Sequence, residues 1–214
     1  MSALPSHNVP PWQWDVFCRV IDNFGDIGVC WRVASQLAAA GQSVRLWVDD
    51  ASALEWMAPA GAPGVELRDW ASPLGTSDAA PDVLVEAFGC DIRPDFIAAC
   101  ADRVSAGARK PVWINLEYLS AEEWIGECHG LTSPSPRLPL IKHFFFPGFA
   151  ANTGGVLLER DLDARRRDFQ QDARAQTAFW QGLGLAAPRP GESRISLFCY
   201  PGSRAEELFT DWSG

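Results

Sequence analysis

The sequence is short of several things at once. No apolar run approaches the roughly 18 residues of a membrane-spanning helix, so no segment is expected to enter a membrane. Cations are outnumbered: 18 Lys and Arg stand against 27 Asp and Glu, a net charge of −9. A nucleic-acid surface needs clustered Lys and Arg, so a general nucleic-acid binder is excluded. Histidine occurs three times, far apart, and none of the six cysteines forms a C-x-x-C pair. Cys128-His129 is the single adjacent Cys/His pair, and no ligand spacing suggests a metal. Cys18, Cys30, Cys90, Cys100, Cys128 and Cys199 lie mostly in apolar runs, which suits reduced core thiols rather than a disulfide framework. The first residues, M-S-A-L-P-S-H-N-V-P-P-W, lack the basic start and apolar core of a secretion signal. A cytoplasmic location is expected.

What is present suits a packed globular protein. Of the 214 residues 47% are apolar and 21% charged, enough for one large domain or two small ones. Residues 1–12 read as a flexible lead. Apolar segments at Trp14–Ile21, V-R-L-W-V, G-V-E-L-R-D-W, P-D-V-L-V-E-A-F-G and P-V-W-I-N-L-E-Y-L read as five strands. Helical patterns separate several of them: Ile27–Ala40, stopped by Gly41, the short A-S-A-L-E-W-M, and R-P-D-F-I-A-A-C-A-D-R-V with Pro94 near its start. Ser120 and Glu123 have the spacing of a capping box opening another helix. Strands alternating with helices predict an α/β domain with a mostly parallel, Rossmann-like sheet over residues 13–185. Within these bounds, after the fifth strand, come a Pro/Ser-rich loop, T-S-P-S-P-R-L-P-L, and the aromatic run H-F-F-F-P-G-F. A helical stretch from about Asp161 to Leu183 follows, with Arg165, Arg166 and Arg167 on a solvated face. After the linker A-A-P-R-P-G-E, R-I-S-L-F-C-Y reads as a new strand and E-E-L-F-T-D-W as a helix. Residues 186–214 are therefore expected to be a linker and the first unit of an incomplete second domain, the chain being the N-terminal part of a longer protein.

The most informative stretch is D-N-F-G-D-I-G, Asp22–Gly28, between the first strand and its helix. In an open parallel sheet, ligands bind beyond the carboxyl ends of the strands, and such a turn usually offers backbone N–H groups to phosphate. Here two carboxylates, Asp22 and Asp26, occupy the turn. Gly25 and Gly28 give G-x-x-G, not the dinucleotide G-x-G-x-x-G. Asp49, closing the second strand, holds the place of a ribose-binding carboxylate, which keeps a nicotinamide-dependent oxidoreductase domain as an alternative. Asp22 as a helix N-cap with Asp26 favouring the helix dipole is one reading of the pair. A carboxylate pair that binds a cation or takes a proton is the other.

W-D-V-F-C-R-V-I-D-N-F-G-D-I-G-V-C-W-R, V-R-L-W-V-D-D, N-L-E-Y-L-S-A-E-E-W, F-F-F-P-G-F and I-S-L-F-C-Y, in order from about residue 14 to 200, closely resemble the bacterial protein-arginine rhamnosyltransferases that act on elongation factor P. The resemblance implies a GT-B-type fold and inverting transfer of L-rhamnose from TDP-β-L-rhamnose to an arginine side chain, with no metal or other cofactor. It implies elongation factor P as protein partner, and an N-terminal domain facing that acceptor. Asp26 then matches the general base and Asp22 the residue orienting the guanidinium. Asn23, Phe24 and Gly25 match the loop against the donor sugar, and Tyr200 and Phe198 match the nucleotide-sugar pocket. Glu117 and Tyr118 are candidates to shape the acceptor groove. A non-catalytic module that binds elongation factor P is the other alternative, and the 214-residue chain alone is expected to turn over little or not at all.

Overall fold

The computed structural model describes residues 10–22, 24–134, 139–197, 199 and 203–212. Asn23, Phe198 and Tyr200, all expected at the site, lie outside the described residues. The chain divides into two compact units, one up to Leu158 and one from Glu159. This division falls ahead of the boundary at residue 185 that composition suggests.

The first unit runs β1 (Gln13–Cys18), α1 (Gly25–Ala39), β2 (Ser43–Val48), α2 (Leu54–Met57), β3 (Val65–Asp69), β4 (Val83–Ala87), α3 (Pro94–Ser105), β5 (Val112–Leu116), α4 (Ile125–Cys128), β6 (Thr132–Pro134) and β7 (Ile141–Phe145). These strands form one sheet in the order β3-β2-β1-β4-β5-β7-β6, parallel except for the antiparallel edge strand β6. The first strand is shorter than its apolar run: Val20 and Ile21 belong to the loop. The aromatic run His143–Phe145, which sequence periodicity leaves unassigned, becomes a strand because β5 supplies its parallel partner, Asn115 opposite Phe144.

Alternation along the central strands sorts two cores. Val16 and Cys18 of β1, Val44, Leu46 and Val48 of β2, and Val83, Val85 and Ala87 of β4 face α1, which buries Ile27, Cys30 and Ala34 at helical spacing. Phe17, Trp47 and Leu84 face the other way, towards Phe96, Ile97 and Cys100 of α3. Burial on both faces explains why β4 reads as an unbroken apolar run apart from Glu86. Glu86 is buried because Lys142 Nζ and Trp113 Nε1 each bind it at 2.9 Å. Asp15, on the same face, is gripped by Arg45 Nε at 2.5 Å, Arg45 Nη2 at 2.8 Å and Trp47 Nε1 at 3.1 Å. Its carboxyl is held above the ordinary aspartate range, burial outweighing the guanidinium. The helix α1 stops where Gly41 turns left-handed, φ +84°.

Three expectations need correction. The Ser120/Glu123 pair does not open a helix: Ser120 Oγ accepts the Glu122 N–H, and α4 begins at Ile125 behind Trp124 without a side-chain cap. Ser120 instead bridges to Gly148, so tertiary pairing overrides the local motif. The helical stretch after Asp161 is two helices, α5 (Leu162–Gln171) and α6 (Ala173–Gly182), because Asp172 leaves the helix and caps the N–H groups of Arg174 and Ala175. Among the described residues of R-I-S-L-F-C-Y no strand forms, whereas the helix after it does, as α7 (Ala205–Trp212). No helix among the described residues is long and apolar enough to cross a membrane.

Candidate active site at the β1–β4 switch point

After β1 the chain turns towards β2 and β3, and after β4 it turns the opposite way towards β5 and β7. The loops leaving β1 and β4 therefore diverge at the C-terminal edge of the sheet, where a ligand crevice forms. The loop after β1 is wrapped around one carboxylate. Asp26 Oδ2 accepts the N–H groups of Ile21 at 3.0 Å and Asp22 at 2.9 Å. Asp26 Oδ1 accepts the Tyr118 hydroxyl at 2.9 Å. Asp26 is 1% exposed, yet three donors and the first turn of α1 satisfy its charge. Asp22 is half-buried, and its carbonyl accepts the Gly25 N–H at 2.8 Å.

Asp22 is not the N-cap. That position is Phe24, with no side-chain capping bond. The Asp22 carboxylate lies instead over Gly25, where an added Cβ would stand 3.0 Å from Oδ2. Any larger residue there would press on the Asp22 side chain.

Tyr118 reaches Asp26 from the exit of β5. Its ring stacks on Phe88, with centroids 4.1 Å apart and planes 12° from parallel. Phe88, the first residue after β4, has φ +56°, a left-handed conformation that disfavours any residue with a Cβ by about 1–2 kcal/mol. Its N–H is tied to the Leu116 carbonyl at 2.7 Å. The Tyr118 phenol is pushed up to about 12, first by partial burial, then by the hydroxyl's bond to Asp26 and the charges of Asp26 and Asp22. It is therefore a donor at every physiological pH.

Beside this loop lies a cavity of about 610 Å³. Its walls are Val29, Arg32 and Val33 of α1, the sheet residues Trp14, Val85 and Ile114, the Phe88–Tyr118 stack and the Pro147–Leu157 segment. Asp22, Gly25 and Glu117 join the lining, while Asp26, bonded to the Asp22 N–H and the Tyr118 hydroxyl, does not. The enclosure is apolar with two carboxylates and one guanidinium, Arg32, whose Nη2 also binds the Leu157 carbonyl at 3.1 Å. Glu117 is steadied by Asn115 Nδ2 at 2.6 Å. Trp14 contributes a buried indole N–H with no hydrogen-bond partner among the described residues.

The structure thus brings Asp22, Gly25, Asp26, Glu117 and Tyr118 together. Phe24 stands apart: its ring meets Trp56 edge-on at 5.1 Å and it does not line the cavity. Asp49 does not present an open carboxylate to a ribose, since its Oδ1 accepts the N–H groups of Val20 and Asp50. His129 Nδ1 is likewise occupied, by the Phe146 N–H at 3.1 Å. The arginines of α5 pair outward, Arg165 with Asp161 and Arg166 with Asp163. Sequence reasoning missed Phe88, Arg32 and Trp14. Val29, Arg32 and Val33 do share one helical face at i, i+3, i+4, a second apolar stripe on α1. No local signal marks a left-handed phenylalanine.

The family model of the Elongation-Factor P (EF-P) rhamnosyltransferase EarP matches residues 14–214. A protein-arginine rhamnosyltransferase of Pseudomonas putida is 49% identical over 197 residues, covering 87% of this chain and 50% of the relative. Its Pseudomonas aeruginosa counterpart is 48% identical over 88% of this chain and 50% of its own length. One from Neisseria meningitidis is 43% identical over 72% of this chain and 41% of its own. The chain spans about half the length of the curated relatives it matches. With the family model matched across nearly the whole chain, it belongs to the EF-P rhamnosyltransferase family.

Proposed function

We propose that this chain is the acceptor-facing part of a GT-B-type, inverting protein-arginine rhamnosyltransferase. The whole enzyme moves L-rhamnose from TDP-β-L-rhamnose to an arginine of elongation factor P, a reading supported by the family match and the shared name of the relatives. The observation that carries the chemistry is the carboxylate pair at the switch point, one member buried and anchored, the other facing an apolar cavity.

An arginine side chain is a poor nucleophile because it is protonated, with a pKa above about 12, and its lone pairs are delocalised. Asp22, on the cavity wall, holds the guanidinium by charge-assisted hydrogen bonds and turns one nitrogen towards the sugar. That nitrogen bonds to the anomeric carbon as the bond from that carbon to the TDP oxygen breaks on the opposite face, which inverts the centre. The proton lost from the nitrogen passes to Asp26, and the TDP leaves with the bonding pair. The carboxylates also stabilise positive charge developing on the sugar ring. In this reading Asn23, Phe24 and Gly25 have the role of the loop that meets the donor sugar, and Phe198 and Tyr200 that of nucleotide-sugar pocket residues.

Rhamnose transfer to elongation factor P by the full-length transferase, followed by intact mass with Asp26 or with Asp26→Asn, tests the reaction. Calorimetric titration of this chain with elongation factor P, carrying either its acceptor arginine or alanine there, tests the docking. Transfer that survives Asp26→Asn, or binding indifferent to the acceptor arginine, would overturn the assignment.

A further inference from the structure

A carboxylate has about four acceptor sites, two on each oxygen. Among the described residues Asp26 Oδ2 fills both of its sites, with the amides of Ile21 and Asp22. Among the same residues Oδ1 takes one donor, Tyr118, and keeps a site for another. That oxygen is held by a tyrosine 92 residues away in sequence, and Tyr118 is itself seated flat on Phe88.

Resting on the reading of Asp26 as proton acceptor, we infer that Phe88 and Tyr118 are positioning residues of the transfer site. The left-handed backbone of Phe88 sets its ring beneath Tyr118, and the Tyr118 hydroxyl fixes the carboxylate so that Oδ1 is the oxygen presented to the guanidinium. Three features support it. A bulky residue holds a conformation that glycine, its very next neighbour, would hold without strain. Its N–H is committed to Leu116, two residues before Tyr118, so the exits of β4 and β5 move together. Both rings line the cavity, yet the contact between them serves Asp26, which does not.

Amide hydrogen exchange at neutral pH tests the arrangement without needing turnover. A carboxylate held at both oxygens protects the Ile21 and Asp22 amides. The Val20 amide, in the same loop but bonded to Asp49 Oδ1 at 2.9 Å, is the internal control. Tyr118→Phe removes one hydroxyl and is expected to speed exchange about tenfold at Ile21 and Asp22, a typical loss for one hydrogen bond to a charged group, and to leave Val20 unchanged. Phe88→Leu is expected to act in the same direction by about threefold, a part of that same bond's worth, while Phe88→Tyr retains the stack and the wild-type pattern. Wild-type exchange in Tyr118→Phe, equal loss at all three amides, or Phe88→Tyr behaving like Phe88→Leu would each overturn the inference. Failure of Asp26→Asn to abolish transfer would overturn the underlying reaction instead, and the exchange pattern is independent of that result.

Discussion

Replacing Asp26 in two ways separates its work in the fold from its work in the reaction. Asp26→Ala deletes the acceptor of three hydrogen bonds, two from the loop backbone and one from Tyr118. Bonds to a charged group contribute about 1.5–3 kcal/mol each. The freed amides of Ile21 and Asp22 are only part-buried and can turn to water, so the loss is about 3–5 kcal/mol, below the simple sum. At about 2–4 °C per kcal/mol for a domain of this size, the melting temperature falls by roughly 10 °C. Asp26→Asn keeps the shape. The new amide oxygen accepts the same two N–H groups, and the Tyr118 hydroxyl, which both donates and accepts, rotates to receive the amide NH₂. Neutral bonds replace charge-assisted ones at a cost of about 1–2 kcal/mol, or roughly 5 °C. Thermal unfolding followed by circular dichroism, beside rhamnose transfer to elongation factor P, gives the readout. Both variants are expected to lose transfer, and only Asp26→Ala to lose much stability. If Asp26→Ala melts with the wild type, the carboxylate does not hold the loop and the geometric argument fails.

The remaining predictions concern the surrounding structure. Arg45→Met strands the Asp15 carboxylate at 0% exposure and is expected to cost about 3–5 kcal/mol, read as a lower urea midpoint at unchanged slope. Adding Asp15→Asn should return part of that loss. At pH 8 dithionitrobenzoate is expected to react quickly with the exposed Cys199 and more slowly with Cys128, and with the four buried thiols after denaturation alone. Burial pushes Cys90 and Cys100 up to about 12, from an ordinary value of 9.0. The unfolded chain therefore releases protons above about pH 9 that the folded chain keeps, so stability should fall as pH rises from about 9 towards 12 and show no such loss below 9. A measured rise in stability over that window would contradict the burial of these thiols. Gly25→Ala puts a methyl carbon 3.0 Å from Asp22 Oδ2, so the Asp22 carboxylate must shift by a few tenths of an ångström. Helix propensity gains up to about 1 kcal/mol, leaving the melting temperature level or higher, while affinity for elongation factor P drops when measured by calorimetry.

How far the sequence carries the fold depends on the range of the interaction that decides each element. Elements set by local pattern were legible: β2, β3, β4 and α3 fall where alternation, helical spacing and Pro94 put them. Elements set by a distant partner were not. The run His143–Phe145 needs β5 beside it to be a strand, and Ser120 forgoes a helix cap because Gly148 pairs with it. The site divides in the same way. Asp22 and Asp26 declare themselves by their place after a strand, where carboxylates are out of keeping with a phosphate loop. That Asp26 is buried, that Tyr118 holds it, and that Phe88 is left-handed depend on the register that sets β1 beside β4 and β4 beside β5. None of this is encoded within ten residues of any of them.

The same register bears on the acceptor proposed for this loop. In a phosphate-binding turn the amides after the first strand are left open for an external anion. Here the Ile21 and Asp22 amides are already taken by the protein's own anion, Asp26, with Asp22 beside it. A phosphate in that place would have to displace a carboxylate held by three donors. It would also meet a second one, and each like-charge pair at about 4 Å adds about 4 kcal/mol at an effective dielectric of 20. A guanidinium meets the reverse situation: one carboxylate, Asp26, already buried and oriented, a second, Asp22, at an apolar wall beside it, and among the described residues a single donor on Asp26 Oδ1. The turn keeps the position of a nucleotide loop and reverses its charge, so that in the proposed reaction a guanidinium suits it better than the diphosphate of a nucleotide sugar.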